Sequence, residues 1–429
     1  MTETSPPTAA DLLARARRVL PGITQTYSKA PDQHVEGVYP VFLVRGDGCR
    51  VWDVDDREYI DYPCALGPVI LGYHDPDVDA AVHGAVDAGP CWSLGHPLEV
   101  EVAELIVDMV PGAEMVRLLK TGSEATSAAV RLARAFTGRD HVAMCGYHGW
   151  HEWAVGHTAR NAGIPAPVRG LTHQWAYNDL ASLERVFDEH PGRVGVVIME
   201  PVGVVEPRPG FLESVRDLAH RRGALLVFDE VITGFRLARG GAQEHFGVVP
   251  DLAAFGKALA NGYAVAAVAG RADVMAQIAT TTFVSSTFGG ETVSLAAAAA
   301  TLRKLQREPV VAHLWRQGAA VRDAFNRIAA SHEVPARMVG LAPRRVLEID
   351  ADAGVDANAL KGLIWQGCLD RGVLLSNANF VSYAHDDYAV ARTVEAFEHA
   401  LGEAARAYHC GDVAGALRGA VPGEVFRRA

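Results

Sequence analysis

Lysine is scarce in this chain. It occurs only at positions 29, 120, 257, 304 and 361 of 429, so any chemistry that needs a primary amine has five candidates. Positive charge as a whole is short: 40 Lys and Arg face 51 Asp and Glu, a formal net charge of −11. Nucleic-acid binding relies on clustered Lys and Arg, so this balance argues against a nucleic-acid partner. The one basic run, Arg15-Ala-Arg-Arg18, sits in a short amphipathic pattern with Leu12, Leu13, Val19 and Leu20 and reads as a solvated helix face. Six scattered cysteines without a C-x-x-C spacing argue against a disulfide framework or zinc knuckle and suit a reducing cytoplasm. Charges and glycines interrupt every apolar stretch short of a membrane span, and the N-terminus has no signal-peptide pattern. No P-loop and no G-x-G-x-x-G after a strand occurs, which disfavours ATP and dinucleotides. Residues 1 to about 8, dominated by Thr, Ser and Pro, read as a loose tail.

What is present is an alternation of strands and helices. Pro21-Gly22 ends a first helix, and residues 40–61 read as two or three strands around turns at Gly46-Asp47-Gly48 and Asp55-Asp56. Residues 76–88 and 97–110 have helical periodicity, with Leu98, Val102, Leu105, Ile106 and Met109 on one face. From Val116 to about Gly270, apolar runs at 142–145, 194–199, 224–228, 252–255 and 265–269 are separated by helices at 123–136, 179–190 and 211–222. That pattern predicts an α/β fold with a large, mostly parallel sheet covered on both faces, whose ligands bind at the carboxyl ends of the strands. Alanine-rich residues 293–330 read as one long helix leading out of this domain, and residues 335–429 as a smaller α+β domain. The boundaries expected are an N-terminal arm with part of the small domain at 1–60, a large ligand-binding domain at 61–315 and a C-terminal small domain at 316–429.

Asp229 ends one of the core strands, and Lys257 follows another 28 residues on. A carboxylate and an amine at neighbouring strand ends suit pyridoxal phosphate: the amine forms a Schiff base, and the carboxylate keeps the ring nitrogen protonated so that the ring can draw electrons from substrate. The plainer reading of Lys257 alone is a lysine opening a helix. Of the other four, Lys304 reads as lying on a solvated helix face, Lys361 lies in another helical pattern, Lys29 sits in the N-terminal arm, and Lys120, just before a helix, is the competitor.

Further candidates surround the pair. Thr121-Gly-Ser-Glu124 opens a strong helix, with Ser123 a natural N-cap and Gly122 allowing an anion close to the backbone; the sequence suits a phosphate site, or a plain capping box. Tyr147-His-Gly-Trp-His151 follows a strand and offers an aromatic to stack on a flat ring. His148 and His151 have the i, i+3 spacing of metal ligands, but no third ligand is near, and no metal is expected. Glu200 and Glu230 put acids at two strand ends, for acid–base work or for structural hydrogen bonds to loops. Ser285-Ser-Thr-Phe-Gly-Gly290 can donate to a phosphate or simply turn the chain.

These motifs together resemble the class III, fold type I, pyridoxal-phosphate aminotransferases, nearest the glutamate-1-semialdehyde 2,1-aminomutase-like branch. The resemblance runs from Leu20-Pro-Gly22 into the C-terminal domain. It rests on Thr121-Gly-Ser-Glu-Ala125, Arg131-Leu-Ala-Arg134, Tyr147-His-Gly149, Glu200-Pro201, Phe228-Asp-Glu-Val231, Thr233-Gly-Phe-Arg236, Gly247-Val-Val-Pro-Asp251 and Phe255-Gly-Lys257. It implies a seven-stranded large domain and a small domain built from both chain ends. It implies that Lys257 is the Schiff-base lysine and proton shuttle, and that Asp229 pairs with the pyridinium nitrogen. Val231 and Tyr147 would flank the ring, with His148 in the same motif beside the cofactor. Gly122 and Ser123 would bind the phosphate, and Glu200 would lie on the substrate side. Thr287 would reach the phosphate of a partner subunit, which makes the active site that of a homodimer.

The chain departs from the aminomutase pattern in places that bear on substrate. Pro21-Gly-Ile-Thr-Gln-Thr-Tyr-Ser-Lys29 ends in lysine where that branch has a carboxylate-binding arginine, and lysine lacks the planar two-point fork. Residues 156–170 lack the Gly- and Ser-rich gating loop. Ser376-Asn-Ala-Asn-Phe-Val-Ser-Tyr-Ala-His385 lacks the glutamate-bearing insert, and Gly289-Gly-Glu-Thr292 replaces the commoner Gly-Asn-Pro. The expectation is a cytoplasmic aminotransferase that moves an amino group from an amino-acid donor to an aldehyde or ketone, a sugar, cyclitol or other specialised metabolite. The 2,1-aminomutase is the alternative. A non-catalytic pyridoxal-phosphate-binding regulator and a metal-dependent hydrolase using Glu200, Asp229 and His148 are the competing classes.

Overall fold

A computed structural model describes residues 7–350 and 352–423. The chain folds as two units: one takes the residues up to Leu66, Leu71–His74 and those from Leu314 on, the other Gly67–Ile70 and Asp75–His313. Residues 1–6 of the expected tail lie outside the described part. Thr8 caps the first helix, Ala9–Val19, in a reciprocal pair with Asp11.

In the first unit, β1 (Leu43–Asp47), β2 (Arg50–Asp53) and β3 (Glu58–Asp61) form an antiparallel meander. Asp61 ends β3 in a buried position and accepts a 2.8 Å hydrogen bond from the Tyr73 hydroxyl. Burial pushes its carboxyl up to about 6, against the Tyr73 bond and the charge of Lys29.

The second unit holds seven strands: β4 (Met115–Leu119), β5 (His141–Cys145), β6 (Thr172–Gln174), β7 (Val194–Met199), β8 (Leu225–Asp229), β9 (Leu252–Phe255) and β10 (Ala266–Gly270). They lie in the order β4-β10-β9-β8-β7-β5-β6. Only β10 runs against its neighbours, so the sheet is mostly parallel. Every residue of β5 and β7–β10 is buried, which is why these strands are continuous apolar runs without alternation. The helix Gly122–Thr137 buries Ala125, Ala128, Ala129 and Ala133 with Val130 and Leu132, and its small residues let it pack closely on the sheet.

In the first unit, β11 (Ala336–Val339), β12 (Arg344–Ile349) and β14 (Asn379–Phe380) make a second antiparallel sheet, and β13 (Val373–Leu374) joins β3 in parallel.

Three expectations are corrected. The single helix over 293–330 is two, Thr292–Arg307 and Val310–Ser331, because Pro309 cannot continue the first. The N-cap of Gly122–Thr137 is Thr121, not Ser123: Thr121 has extended dihedrals, its hydroxyl accepts from the Glu124 amide, and Glu124 accepts from the Thr121 amide in return. Lys304 is not solvated. It is buried, with its ammonium 2.7 Å from Asp75 and 3.3 Å from Asp77. Asp75 in turn caps the helix Pro76–Ala88. Strands β4 and β6 had no separate signal, β6 being three residues long.

Two outcomes follow from these buried charges. Lys304→Met leaves the Asp75 carboxylate buried without its cation and should cost about 3 kcal/mol, seen as a lower thermal midpoint. Asp61 has a folded-state pKa above its unfolded value, so the folded state holds the extra proton: stability is greatest at low pH and is lost as pH rises towards about 6. That loss is roughly 3 kcal/mol by linkage. Asp61→Asn keeps the Tyr73 bond and should therefore raise the thermal midpoint at pH ~8 relative to wild type while changing it little at pH ~4; an unchanged difference between the two pH values would refute the assignment.

Candidate active site

Strands β4, β5, β7, β8 and β9 run in one direction, since β10 is antiparallel to both β4 and β9. Their carboxyl ends therefore fall along one edge, and each delivers residues to one cavity of about 350 Å³. After β4 come Gly122 and Ser123, after β5 Tyr147 and His148, and after β7 Glu200. Asp229 ends β8 with Val231 two residues on, and Lys257 follows β9. All eight line the cavity. Thr287 does not; it is exposed on the loop before the helix Thr292–Arg307.

Lys257 opens a short 3-10 turn, Lys257–Ala260, with φ of 42°. A left-handed conformation costs a non-glycine residue about 1–2 kcal/mol, and here the fully buried Ala258, Leu259 and Ala260 hold it. Backbone strain at a functional side chain is sustained by such over-determined surroundings.

Asp229 is 6% exposed. Its Oδ2 lies 2.8 Å from His148 Nδ1, and its Oδ1 accepts from the Val231 amide at 3.0 Å. His148 Nε2 is 3.0 Å from the Cys145 carbonyl oxygen. A carbonyl only accepts, so Nε2 carries a hydrogen, and the short Nδ1–Oδ2 contact then requires a second proton between ring and carboxylate. Thr126 fixes the loop by donating from its hydroxyl to the His148 carbonyl at 2.8 Å. His151 points elsewhere, to Ser127 Oγ at 2.7 Å, so the two histidines of this loop do not converge on one point. Burial first, then the nearby Asp229 charge, pushes the Tyr147 phenol up. Burial, with Glu200 second, pushes the Cys145 thiol up to about 12, which keeps it neutral.

The helix Gly122–Thr137 aims its amide-rich N-terminus at the cavity. A Cβ on Gly122 would sit 2.9 Å from a Val231 methyl, so only glycine brings the backbone this close. Gly149, at φ of 102°, is pressed against Ser123 in the same way, and the Trp150 amide reaches Ser123 Oγ at 3.3 Å.

The two acids left open by sequence differ. Glu230 is fully buried and turned away, accepting from the Ala242 and Gln243 amides, Gln243 Nε2 and the Thr233 hydroxyl; it is structural. Burial raises its carboxyl, with those donors opposing. Glu200 stays at the cavity. Lys120 lines it too, but its ammonium is held 2.9 Å from Glu291 Oε2, and Glu291 caps the helix Thr292–Arg307. Thr126, Ile232 and Tyr263 also line the cavity and were missed by sequence reading. Thr126 is one helical turn from Ser123, which was its only signal.

Pyridoxal phosphate asks for an amine on a rigid strand end, a buried acid for the ring nitrogen and a phosphate cradle close to backbone. Lys257, Asp229 and the glycine-led helix N-terminus supply these three within one cavity, so the residues fit it.

Residues 32–401 match the aminotransferase class-III family. The chain is 35% identical over 401 residues to a 3-aminobutyryl-CoA aminotransferase of Cloacimonas acidaminovorans, covering 91% of this chain and 96% of that protein. It is 38% identical over 421 residues to a glutamate-1-semialdehyde 2,1-aminomutase of Pelotomaculum thermopropionicum, with the same coverage. Among solved structures it is similar to the FumI protein of Sphingopyxis sp. MTA144 in its PLP internal aldimine form, with a TM-score of 0.88 and 32% identity over 94% of this chain and 97% of that one. It is also similar to an omega-transaminase of Sphaerobacter thermophilus, with a TM-score of 0.85 and 28% identity over 93% and 98%.

His148→Leu leaves the Asp229 carboxylate buried without its partner. The expected result is a thermal midpoint lowered by the equivalent of about 3 kcal/mol and faster loss of bound cofactor on dialysis. A variant that retains both wild-type values would show that the pair does not support the site.

Proposed function

The chain belongs to the class-III aminotransferases, which use pyridoxal 5′-phosphate, and we propose that its acceptor is an aldehyde or ketone whose carbonyl is not flanked by a carboxylate: a sugar, cyclitol or other specialised metabolite, aminated at the expense of an amino-acid donor such as glutamate. The observation that carries this reading is the lining of the cavity. Among the described residues it includes no arginine, and of its two lysines Lys120 is engaged by Glu291. A carboxylate beside the acceptor carbonyl would find no two-point guanidinium fork there. Residues 156–170, which lack a gating loop, are tied by their own bonds, from Asn161 Nδ2 to the Gly156 carbonyl at 3.0 Å and from the Thr158 hydroxyl to the Val155 carbonyl at 2.8 Å. The relatives named for 3-aminobutyryl-CoA and for omega-transamination suit an acceptor of this kind.

In this proposal the cofactor, when bound, supplies an electron-withdrawing ring and a carbon open to amines. Lys257 Nζ would hold it covalently, and its neutral amine would take up and return a proton at the substrate carbon. Asp229, backed by His148, keeps a proton on the ring nitrogen. Val231 and Tyr147, both on the cavity wall, would face the ring from its two sides. The amides of Gly122 and Ser123 hold the phosphate. Glu200 sits at the substrate end.

The same proposal takes the enzyme to be a cytoplasmic homodimer in which Thr287 serves the partner's phosphate. Thr287 is exposed on a loop whose Phe283 and Phe288 are 80% and 57% exposed, apolar surface that a second subunit would cover. Among the described residues the cysteines form no disulfide, which suits a reducing compartment. Among the described residues no helix is long and apolar enough to cross a membrane.

The test is a donor–acceptor screen that follows the visible absorption of the bound cofactor. Amino transfer to non-acidic aldehydes and ketones is expected; 5-aminolevulinate formed from glutamate-1-semialdehyde without a donor would overturn the reading in favour of the 2,1-aminomutase. Lys257→Ala should retain cofactor and lose turnover by at least about 10⁴-fold, and near-wild-type turnover would remove Lys257 from the reaction. Thr287→Ala should elute as the wild-type dimer in gel filtration yet release cofactor faster; unchanged release would remove Thr287 from the phosphate site.

A further inference from the structure

Three histidines meet at the far end of the sheet from the cavity. His141 is the first residue of β5, whose last residue leads to the site, and His173 lies in the edge strand β6. His190 ends the helix Leu180–Glu189. A short turn carries it back: the Arg193 amide donates to the His190 carbonyl at 3.1 Å, and the His141 amide donates to the Arg193 carbonyl at 3.1 Å. One ring nitrogen from each histidine lies within 4.8 Å of the other two. His173 Nε2 and His141 Nδ1 are 2.9 Å apart, and the His173 and His190 rings are 3.8 Å apart, centre to centre.

We propose that His141, His173 and His190 form a site for one borderline divalent cation of the zinc type. Imidazole nitrogens are ligands of choice for such ions, and three with an open fourth position make a complete protein donor set. Metal–nitrogen bonds of about 2.0–2.1 Å in tetrahedral geometry place ligand nitrogens roughly 3.3 Å apart. The present spacing reaches this if the half-buried rings of His173 and His190 turn while His141, 4% exposed, stays as the anchor. His141 Nε2 is buried without a hydrogen-bond partner, so this ring is an under-used polar group in the fold. Arg193 and Arg134 add positive charge around the cluster and Asp140 negative. The ion would staple β6, an edge strand of three residues paired only with β5, to its neighbour and to the turn after the helix. Its role is structural and separate from amino transfer.

The test uses chelator-treated holoenzyme titrated with ZnCl₂ by calorimetry, with cobalt absorption reporting nitrogen ligation and MgCl₂ as the control ion. Wild type should take up one Zn²⁺ per chain at this site and melt at a higher temperature with zinc but not magnesium. His173→Gln and His190→Gln should each weaken zinc binding by about 100-fold. His399→Gln, in the separate and more exposed Asp370–His399–Glu403 group, should leave it unchanged. No saturable zinc uptake by wild type, or equal affinity in the His173→Gln and His190→Gln variants, would overturn the proposal and leave the cluster as stacked rings only.

Discussion

A carboxylate that ends a buried strand has to be partnered, and the rest of the site is arranged around meeting that need for Asp229. The chain leading into it, Leu225 to Phe228, is wholly apolar and buried, so no water or nearby cation is available along the strand. His148 reaches it from the loop after β5, two strands away in the sheet order. To do so the loop must double back at once, which Gly146 and Gly149 permit with φ of 104° and 102°. It must also stay folded back, which the Thr126 hydroxyl secures from the helix Gly122–Thr137. The acid, the aromatic beside it and the amide-rich helix end are thereby one mechanical unit. Leaving out any one exposes a buried charge or an unpaired polar group, which costs far more than a surface contact contributes.

The scarcity of lysine gives each ammonium a distinct place. Lys304 is locked to Asp75 and Asp77, Lys120 to Glu291, Lys361 lies 6.0 Å over the Trp365 ring, and Lys29 is close enough to Asp61 to lower its carboxyl. Only Lys257 is presented at the cavity on strained backbone. The Lys120–Glu291 pair falls where the chain departs from the commoner Gly-Asn-Pro, so the substitution is absorbed as a part-buried ion pair joining the start of one helix to the start of another. The adjacent acids Asp229 and Glu230 show how one register step decides a role. Alternation along the strand end sends the first to the cavity and the second into the loop over Ala242 and Gln243.

Strands such as 194–199 and 252–255 were legible to the residue because an uninterrupted apolar run bounded by polar residues admits only a buried strand at that length. Tyr147, His148, Glu200, Asp229, Val231 and Lys257 were legible because they follow such strands, whereas Thr126, Ile232 and Tyr263 carried no such signal. What misread did so for local reasons. Alanine favours helix through 308–309, and only the ring of Pro309 stops it. Ser123 and Thr121 are equally good caps by type, and the choice between them depends on which backbone is already extended when the helix leaves β4. Lys304 has the periodicity of a solvated position, and burial of its partner Asp75 overrides it.

By itself, then, the sequence determined the class of fold, the order of most strands and helices, the candidate amine and acid, and how few clustered basic residues the chain carries, since these rest on local periodicity and on chemistry within a few residues. Tertiary structure alone decided that His148 faces Asp229 while His151 faces Ser127, that Glu230 is structural, that Lys120 and Lys304 are paired, and that His141, His173 and His190 meet. Most of these join parts of the chain far apart in sequence, 81 residues for His148 and Asp229, 171 for Lys120 and Glu291 and 229 for Asp75 and Lys304, and no periodicity in a linear pattern carries such distances.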